Sequence, residues 1–307
     1  MISIALLQIS IIGKIAYIGT RLPFGSSPAP FLYSIIIDVV FDLSNDILEE
    51  NDWDYTKLYS PNVHKFPSKV IMDNDIPFGQ AKPLLVPVPL RHCFVDGYID
   101  DGMAACLDID DNVTRLQHAV PLAVHTIFRP LGDEILPRKD PLSDKKLQGE
   151  GAPSEQKIVL GWDINTRTFR VQLPVHKNIA WNKDITNIIK TKSTKYDEIK
   201  SILGRLTHVA TMFFPGRFFL NRIRNLERRC DKFGPQNLPS EEIKDFQLWS
   251  QFLDHITTAG VSINNVTFTT YDLIYWSDAS EHGLGGYTSS GLAFSYSIPK
   301  KFKVYFT

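Results

Sequence analysis

Two adjacent aspartates lie in the string Tyr98-Ile99-Asp100-Asp101, between two short apolar segments. Those segments, residues 93–95 and 103–107, predict the two strands of a hairpin with an acidic turn. Mg²⁺ prefers hard carboxylate oxygens, and a pair of such ions can clamp the attacking and leaving oxygens of a nucleotidyl transfer. The pattern therefore makes Asp100 and Asp101 candidate catalytic and metal-ligating residues. The alternative is that Asp-Asp is ordinary turn chemistry.

Further carboxylate chemistry is suggested by Asp278, which follows an apolar segment near the end of the sequence. Strands are expected over residues 274–277, 285–288 and 292–297, which together would make a three-stranded meander. An aspartate at such a strand could be a metal ligand, but a metal site would need further acidic residues from other elements. A plain turn residue is the alternative interpretation.

The element preceding the acidic turn is predicted to be a helix over about Leu32 to Glu50. Its apolar residues at helical spacing are Ile35, Ile36, Val39, Val40, Leu43 and Ile47. A second helix is expected after Asp110, and its apolar face would carry Val113, Leu116, Val120, Val124 and Ile127.

The second half of the chain begins with a predicted hairpin over residues 158–173, which turns at Asn165-Thr166-Arg167. From about Thr194 the periodicity becomes helical, with a break at Pro215-Gly216. Three arginines and one asparagine are separated by 4, 3 and 4 positions, so we expect them to share one helix face. They are Arg217, Asn221, Arg224 and Arg228. Such a face could bind nucleic-acid phosphates, or it could be a solvated face paired with nearby acids.

The chain has 307 residues and a formal net charge of −1, so overall basicity gives no argument for a nucleic-acid partner. Its three cysteines, Cys93, Cys106 and Cys230, have no metal-binding spacing. We interpret them as reduced, buried thiols of a cytoplasmic or nuclear protein. The apolar start is interrupted by Gln8, Ser10 and Lys14, so we expect neither a signal peptide nor a transmembrane segment.

Five motifs, taken together and in order, resemble those of retrotransposon reverse transcriptases. They are residues 22–30 (Leu-Pro-Phe-Gly-Ser-Ser-Pro-Ala-Pro), 94–101 (ending in Tyr-Ile-Asp-Asp), 160–164 (Leu-Gly-Trp-Asp-Ile), 203–208 (Leu-Gly-Arg-Leu-Thr-His) and 275–287 (beginning Tyr-Trp-Ser-Asp-Ala-Ser). The order is more specific than any one motif. The resemblance implies an RNA-directed DNA polymerase followed by the start of an RNase H domain.

The resemblance also implies roles for individual residues. Asp100 and Asp101 would bind Mg²⁺ or Mn²⁺, and Asp278 would be the first metal carboxylate of RNase H. The expected partners are deoxynucleotide triphosphates and an RNA or DNA template–primer duplex. The remaining roles are nucleotide binding by Phe24, Gly25, Ser27 and Pro28, primer positioning by Leu160, Gly161 and Trp162, and duplex binding by Arg217, Arg224 and Arg228.

The expected fold is α+β, with a partial polymerase palm (an antiparallel sheet with helices), a helical thumb and an incomplete RNase H-like sheet. The expected segments are a partial palm over 1–129, a loop or linker over 130–156, a primer-positioning hairpin over 157–175, thumb and connection helices over 176–258, and a truncated RNase H-like domain over 259–307.

Residues 1–21 contain no Asp or Glu, whereas a complete palm carries a third metal carboxylate upstream of the Leu-Pro-Phe-Gly loop. We therefore expect the chain to begin inside the palm and to end inside RNase H. Two functions follow from this. One is a polymerase fragment, and the other is a catalytically dead retroelement relic that at most binds duplex. An unrelated α+β protein is the third interpretation.

Overall fold

The computed structural model describes residues 8–12, 15–19, 29–72, 75–83, 92–98, 101–128, 140–267 and 273–299. The fold is mixed α+β with small antiparallel sheets, as the sequence predicts at that level. The chain divides into two compact units. The first comprises Met1–Pro77, Val88–Thr168 and Gln172–His176, and the second comprises Phe78–Pro87, Phe169–Val171 and Lys177–Thr307.

Among the described residues, the first unit contains short strands, three α-helices and a 3₁₀ helix over Val63–Lys65. Its elements are β1 (Gln8–Ile12), β2 (Ile15–Gly19), α1 (Ala29–Glu49), β3 (Cys93–Tyr98), β4 (Asp101–Cys106), α2 (Asn112–Phe128), α3 (Asp144–Glu150), β5 (Gln156–Val159) and β6 (Trp162–Asn165). β1 pairs antiparallel with β2, β3 with β4, and β5 with β6. The segment predicted as a loop over 130–156 thus contains the short helix α3.

The core of the first unit lies between α1, α2 and the β3–β4 hairpin. Its buried members are Phe41, Leu48, Trp53, Cys93, Val95 and Ala119. The predicted apolar face of α1 is wrong for Ile35, Ile36 and Val39, which are exposed. Val40 is buried as predicted, and Phe41, Ser44 and Leu48 complete the inward face, because the hairpin packs against a side of α1 turned by about one residue.

The second unit is mainly helical. Its elements are β7 (Arg170–Gln172), α4 (Val175–Thr191), β8 (Ser193–Thr194), α5 (Tyr196–Met212), α6 (Asn221–Phe233), β9 (Gln236–Asn237), α7 (Ser240–Thr258), β10 (Val261–Ser262), β11 (Tyr275–Ala279), β12 (Gly283–Thr288) and β13 (Ala293–Ser297). The break predicted at Pro215-Gly216 is a 3₁₀ helix over Phe214–Leu220. Helix α4 starts well before the helical pattern predicted from Thr194.

The core of the second unit is built on Trp249 and Phe246 of α7, both fully buried. Trp249 Nε1 donates a 3.2 Å hydrogen bond to the Phe219 carbonyl, so the indole is both packed and hydrogen-bonded. Gly216 allows this close approach, because a Cβ atom at that position would lie 2.7 Å from Trp249 Cη2. Among the described residues, no helix is both long and apolar enough to cross a membrane.

Candidate functional site

The acidic turn lies at the end of the β3–β4 hairpin. Tyr98 is the last residue of β3 and Asp101 the first of β4, and the two are directly opposite each other. Directly opposite residues project to the same face of a sheet, so Tyr98 and Asp101 share a face. Both side chains are exposed. Asp100 lies outside the described residues, as do the predicted nucleotide-binding residues Phe24, Gly25, Ser27 and Pro28.

Asp96 shares the exposed face of the hairpin with Asp101. Along β3 the side chains alternate, with Cys93 and Val95 buried and Asp96 and Tyr98 exposed. The Asp96 carboxylate accepts a 2.7 Å hydrogen bond from the Gly97 N–H. The register thus gives this face of the hairpin two carboxylates.

The opposite face of the hairpin tip is positioned by two glycines and one phenylalanine. Gly97 and Gly102 are paired across the strands, and the Phe41 ring of α1 covers both. A Cβ atom at Gly97 would lie 2.1 Å from Phe41 Cε2, which is far inside van der Waals contact. A glycine within a strand often indicates a close approach of another group, so the sequence contained this signal.

The edge of β3 is fixed to α1 by Asn45. Its side-chain amide donates to the Val95 carbonyl at 2.9 Å, and its amide oxygen accepts from the Val95 N–H at 2.8 Å. One side chain therefore satisfies both backbone groups of a strand residue, as a neighbouring strand would. The contact joins residues 50 apart, and no local pattern in the sequence indicates it.

The C-terminal end of α1 is fixed by the buried Arg115 of α2. Its guanidinium donates to the carbonyls of Leu48 at 3.3 Å and Trp53 at 3.1 Å, and also to those of Ile47 and Glu50. The last carbonyls of a helix have no partner within the helix, and a cation is favourable there. The guanidinium also lies 4.8 Å from the centre of the Trp53 ring.

The buried face of α2 differs from the predicted apolar face and includes Arg115. The buried residues are Asn112, Arg115, Ala119, Pro121, Ala123 and His125. Leu116 and Val120 are only half-buried, and Ile127 is exposed. Ala119 is a fully buried member of the core between α1 and α2, while Arg115 is buried because it binds the carbonyls at the end of α1.

A cation already contacts the exposed face of the acidic turn. Lys146 of α3 donates from its ammonium to Asp101 Oδ1 at 2.6 Å, and both side chains are more than half exposed. Helix α3 is itself tied down by the ion pair of Lys65 with Asp144 at 2.8 Å. An exposed pair of this kind is screened by water and contributes less than about 1 kcal/mol.

The donors on this face suit a hard divalent cation. Asp96 and Asp101 supply carboxylate oxygens, and Asp101 attracts a positive charge, here that of Lys146. Within the described parts of the chain, no three acidic, histidine or cysteine side chains lie close enough together to enclose a metal ion. Asp100, which lies outside the described residues, substrate phosphates and water are candidates for further ligands.

The predicted primer-positioning residues form the turn of the β5–β6 hairpin. Leu160 and Gly161 have φ values of 48° and 82°, and Val159 is paired with Trp162 on either side of them. A two-residue turn with positive φ at both positions matches the twist of antiparallel strands. The predicted continuous strand over residues 158–162 is therefore wrong. Trp162 is buried and Leu160 is exposed.

The predicted basic face is only partly on one helix. Arg224 and Arg228 lie on α6, whereas Arg217 lies in the preceding 3₁₀ helix. The Arg217 guanidinium donates to the Ala210 carbonyl at 3.0 Å and stacks 4.6 Å above the Phe214 ring. Next to it, Phe218 is 79% exposed. The surface therefore combines guanidinium groups with an exposed aromatic ring.

Two other arginines of α6 form ion pairs with acidic residues of α7. Arg222 forms two 2.6 Å hydrogen bonds to the Asp245 carboxylate, and Arg229 bonds Glu242 at 2.5 Å. Both acids are buried residues of α7. The Asp245 carboxylate holds the pKa of Arg222 above its usual value. These pairs join α6 to α7, while Arg224 and Arg228 lie on another side of the helix, as their spacing requires.

Asp278 lies in the β11–β12–β13 meander, whose strands form the three-stranded sheet expected from the sequence. Its carboxylate accepts a 2.8 Å hydrogen bond from the Ala279 N–H. All residues of β11 and β13 are exposed, and Trp276 stacks on Tyr287 with ring centres 4.9 Å apart. Among the described residues, Asp278 belongs to no group of three or more acidic, histidine or cysteine side chains that could hold a metal ion.

The sequence analysis missed a polar cluster around His125. Ser60 Oγ lies 2.7 Å from His125 Nδ1, and His125 Nε2 lies 3.2 Å from Asp140 Oδ1. Serine, histidine and aspartate in a chain suggest an activated nucleophile. Ser60, however, is 1% exposed, so no substrate reaches its hydroxyl. Asn62 also binds Asp140 at 3.0 Å, and the cluster ties the segment around Ser60 to α2.

Comparison of the chain with protein-family models, curated proteins and solved structures finds no match. The assignment of a function therefore depends on the residues of this chain and on the geometry that surrounds them.

Proposed function

We propose that the chain is a reverse transcriptase fragment whose acidic turn takes part in RNA-directed nucleotidyl transfer. The observation that carries the proposal is the hairpin end: Asp101 is exposed opposite Tyr98, and the other face of the hairpin is packed on α1. A carboxylate for two-metal catalysis has to project from a rigid element into solvent. The motif order in the sequence supplies the reaction class.

Asp100 and Asp101 would hold Mg²⁺ or Mn²⁺, which supplies Lewis-acid stabilisation of the transferred phosphoryl group when bound. Asp101 offers a hard carboxylate on the exposed face, and Asp96 adds a second carboxylate to that face. Leu160, Gly161 and Trp162 would support the primer end through the tight turn of their hairpin. The nucleotide pocket would be lined by Phe24, Gly25, Ser27 and Pro28, as the resemblance implies.

The test is primer extension by the purified chain on an RNA template, with deoxynucleotide triphosphates and Mg²⁺. Asp100→Asn and Asp101→Asn should each abolish extension, because they remove carboxylate charge from the metal site. Asp52→Asn is the matched control, since Asp52 is an exposed aspartate outside the hairpin. Extension that survives in both turn variants would overturn the assignment of these residues.

A second candidate is a catalytically inactive retroelement product that binds duplex. The arginines of α6 favour this candidate. Arg222 and Arg229 form ion pairs with α7, whereas Arg228 is exposed on another side of the helix. Arginines that contact phosphates release counterions, so affinity falls as salt rises. Arg217, Arg224 and Arg228 would provide these contacts.

Binding of a labelled RNA–DNA duplex, measured by fluorescence anisotropy at several salt concentrations, tests the second candidate. Replacing Arg224 and Arg228 together by glutamine should weaken binding and lower the salt slope by about 2. Lys183→Gln is the matched control on α4. Salt-dependent binding without extension selects the inactive binder, and absence of both binding and extension excludes both candidates.

A further inference from the structure

Cys93 and Cys106 occupy directly opposite positions at the foot of the β3–β4 hairpin. The neighbouring residues determine the type of pair: the Leu107 N–H donates a 3.0 Å hydrogen bond to the His92 carbonyl. Hydrogen-bonded and non-hydrogen-bonded pairs alternate along an antiparallel ladder, so Cys93 and Cys106 form a non-hydrogen-bonded pair. At such a pair the Cα atoms are about 4.5 Å apart, which is within the range that a disulfide spans.

Side-chain direction agrees with this register. Cys93 is buried in the core of the first unit, and Cys106 packs against that core, so both sulfurs project to the same side of the hairpin. Both residues are in the thiol form in the structure. Their separation of 13 positions in the sequence gives no sign of the contact, which is why both were interpreted as unrelated buried thiols.

We propose that Cys93 and Cys106 are a redox-sensitive pair, which a peroxide oxidises to a cross-strand disulfide at the foot of the hairpin. One thiol loses its proton, the thiolate attacks a peroxide oxygen to give a sulfenic acid, and the departing hydroxide takes up that proton and leaves as water. The second thiol attacks the sulfenic sulfur, and a second water leaves. Two thiols and one hydrogen peroxide thus give one disulfide and two waters, with sulfur oxidised and peroxide oxygen reduced.

The surroundings of Cys106 slow the first step. Burial, the adjacent Cys93 thiol and the Asp108 carboxylate together raise the pKa of its thiol to about 11, while Lys69 acts in the opposite direction. The thiolate is the reactive form, so oxidation at neutral pH should be slow and should accelerate at higher pH. The disulfide would close a short loop that contains the acidic turn, and it would restrict the unfolded chain.

The experiment exposes the full chain to hydrogen peroxide at pH 7.5 and at pH 9, followed by alkylation of the remaining thiols. Three cysteines are available, so the number alkylated under denaturing conditions should fall from three to one. Tryptic cleavage after Arg91 and Arg115 leaves both cysteines on one peptide, which should become two hydrogens lighter. Additional cleavage at the aspartates should give two pieces that stay joined until they are reduced.

Two variants serve as controls. Cys230→Ser should form the same disulfide, because Cys230 is buried in α6, where its thiol contacts the Thr194 carbonyl at 3.8 Å. Cys106→Ser should form none, and replacement of this half-buried residue is a mild change. The oxidised wild-type chain should also melt about 5 °C or more above the reduced chain.

Several outcomes would overturn the proposal. One is oxidation of Cys93 or Cys106 that ends at the sulfenic or sulfonic acid. The others are formation of disulfide-linked dimers and formation of a disulfide that includes Cys230. Retention of all three thiols at both pH values, and also with the thiol oxidant diamide, would show that the two sulfurs cannot meet. None of these measurements depends on polymerase activity, so the proposal and the proposed function can fail independently.

Discussion

Two small antiparallel sheets carry the aspartates that the sequence singled out, and they are built differently. The β3–β4 hairpin with Asp101 has one face covered by α1, through Phe41 and Asn45. The β11–β12–β13 meander with Asp278 has strands whose residues are mostly exposed, and within it the Trp276 ring stacks on the Tyr287 ring. The difference teaches that an aspartate on a strand becomes a candidate site only when other elements fix the strand.

The largest effect should follow replacement of Arg115 by methionine. This change leaves the carbonyls at the end of α1 without their charged donor, and it removes the cation next to Trp53. Loss of several such bonds should cost about 3 kcal/mol. Urea denaturation measures this loss in the free energy of unfolding, and amide hydrogen exchange in β3 reports it locally. Arg228→Met on the exposed side of α6 is the control, and an equal loss there would contradict the role of burial.

A matched pair of glycines compares the two sheets directly. Gly97→Ala should destabilise the hairpin by about 2 kcal/mol, because the new methyl group would overlap the buried Phe41 ring. Gly285→Ala in the meander should change the free energy of unfolding by less than about 0.5 kcal/mol, since the nearest atom to its Cβ would be 3.8 Å away. Thermal denaturation of both variants measures the two changes in stability. Equal shifts in melting temperature would contradict the proposed difference in packing between the sheets.

Replacement of Asn45 by alanine should cost about 1.5 kcal/mol, because the Val95 N–H and carbonyl both lose their partner. The exposed hydroxyl of Ser289, which accepts from the Ile274 N–H at 3.2 Å, gives the comparison in the meander. Ser289→Ala should have little effect on stability, because water replaces the lost hydroxyl. Hydrogen exchange at Val95 and Ile274 reports each site separately, and undiminished protection at Val95 would refute the prediction.

The smallest effect on stability should come from Lys146→Met, within about 0.5 kcal/mol, because its pair with Asp101 is exposed. The same change should tighten Mg²⁺ binding roughly two- to fivefold, since the ammonium no longer competes for the carboxylate. Calorimetric titration with Mg²⁺ measures this, with Lys145→Met as the control on the same helix. Weaker binding in the Lys146 variant would indicate that the lysine assists the metal instead.

Local signals in the sequence predicted several elements well. The periodic apolar residues gave α1 and α5 close to their observed bounds, and the alternation around the acidic turn gave both strands of the hairpin. The periodicity did not mark helix α4, which only the resemblance placed among the helices of 176–258, because its Asn, Thr and Ile residues favour a helix only weakly. The turn at Leu160 was also missed, because leucine at a positive φ is not a usual turn signal.

The sequence by itself determined which side chains could do chemistry at the turn: two adjacent carboxylates between two strands, with a glycine one position before Tyr98. Only the tertiary structure decided which face of the hairpin is open, which side chains fix it, and which groups meet there. The contacts of Asp101 with Lys146 and of Val95 with Asn45 join residues 45 and 50 positions apart. Packing brings such residues together, and no spacing within one segment can encode it.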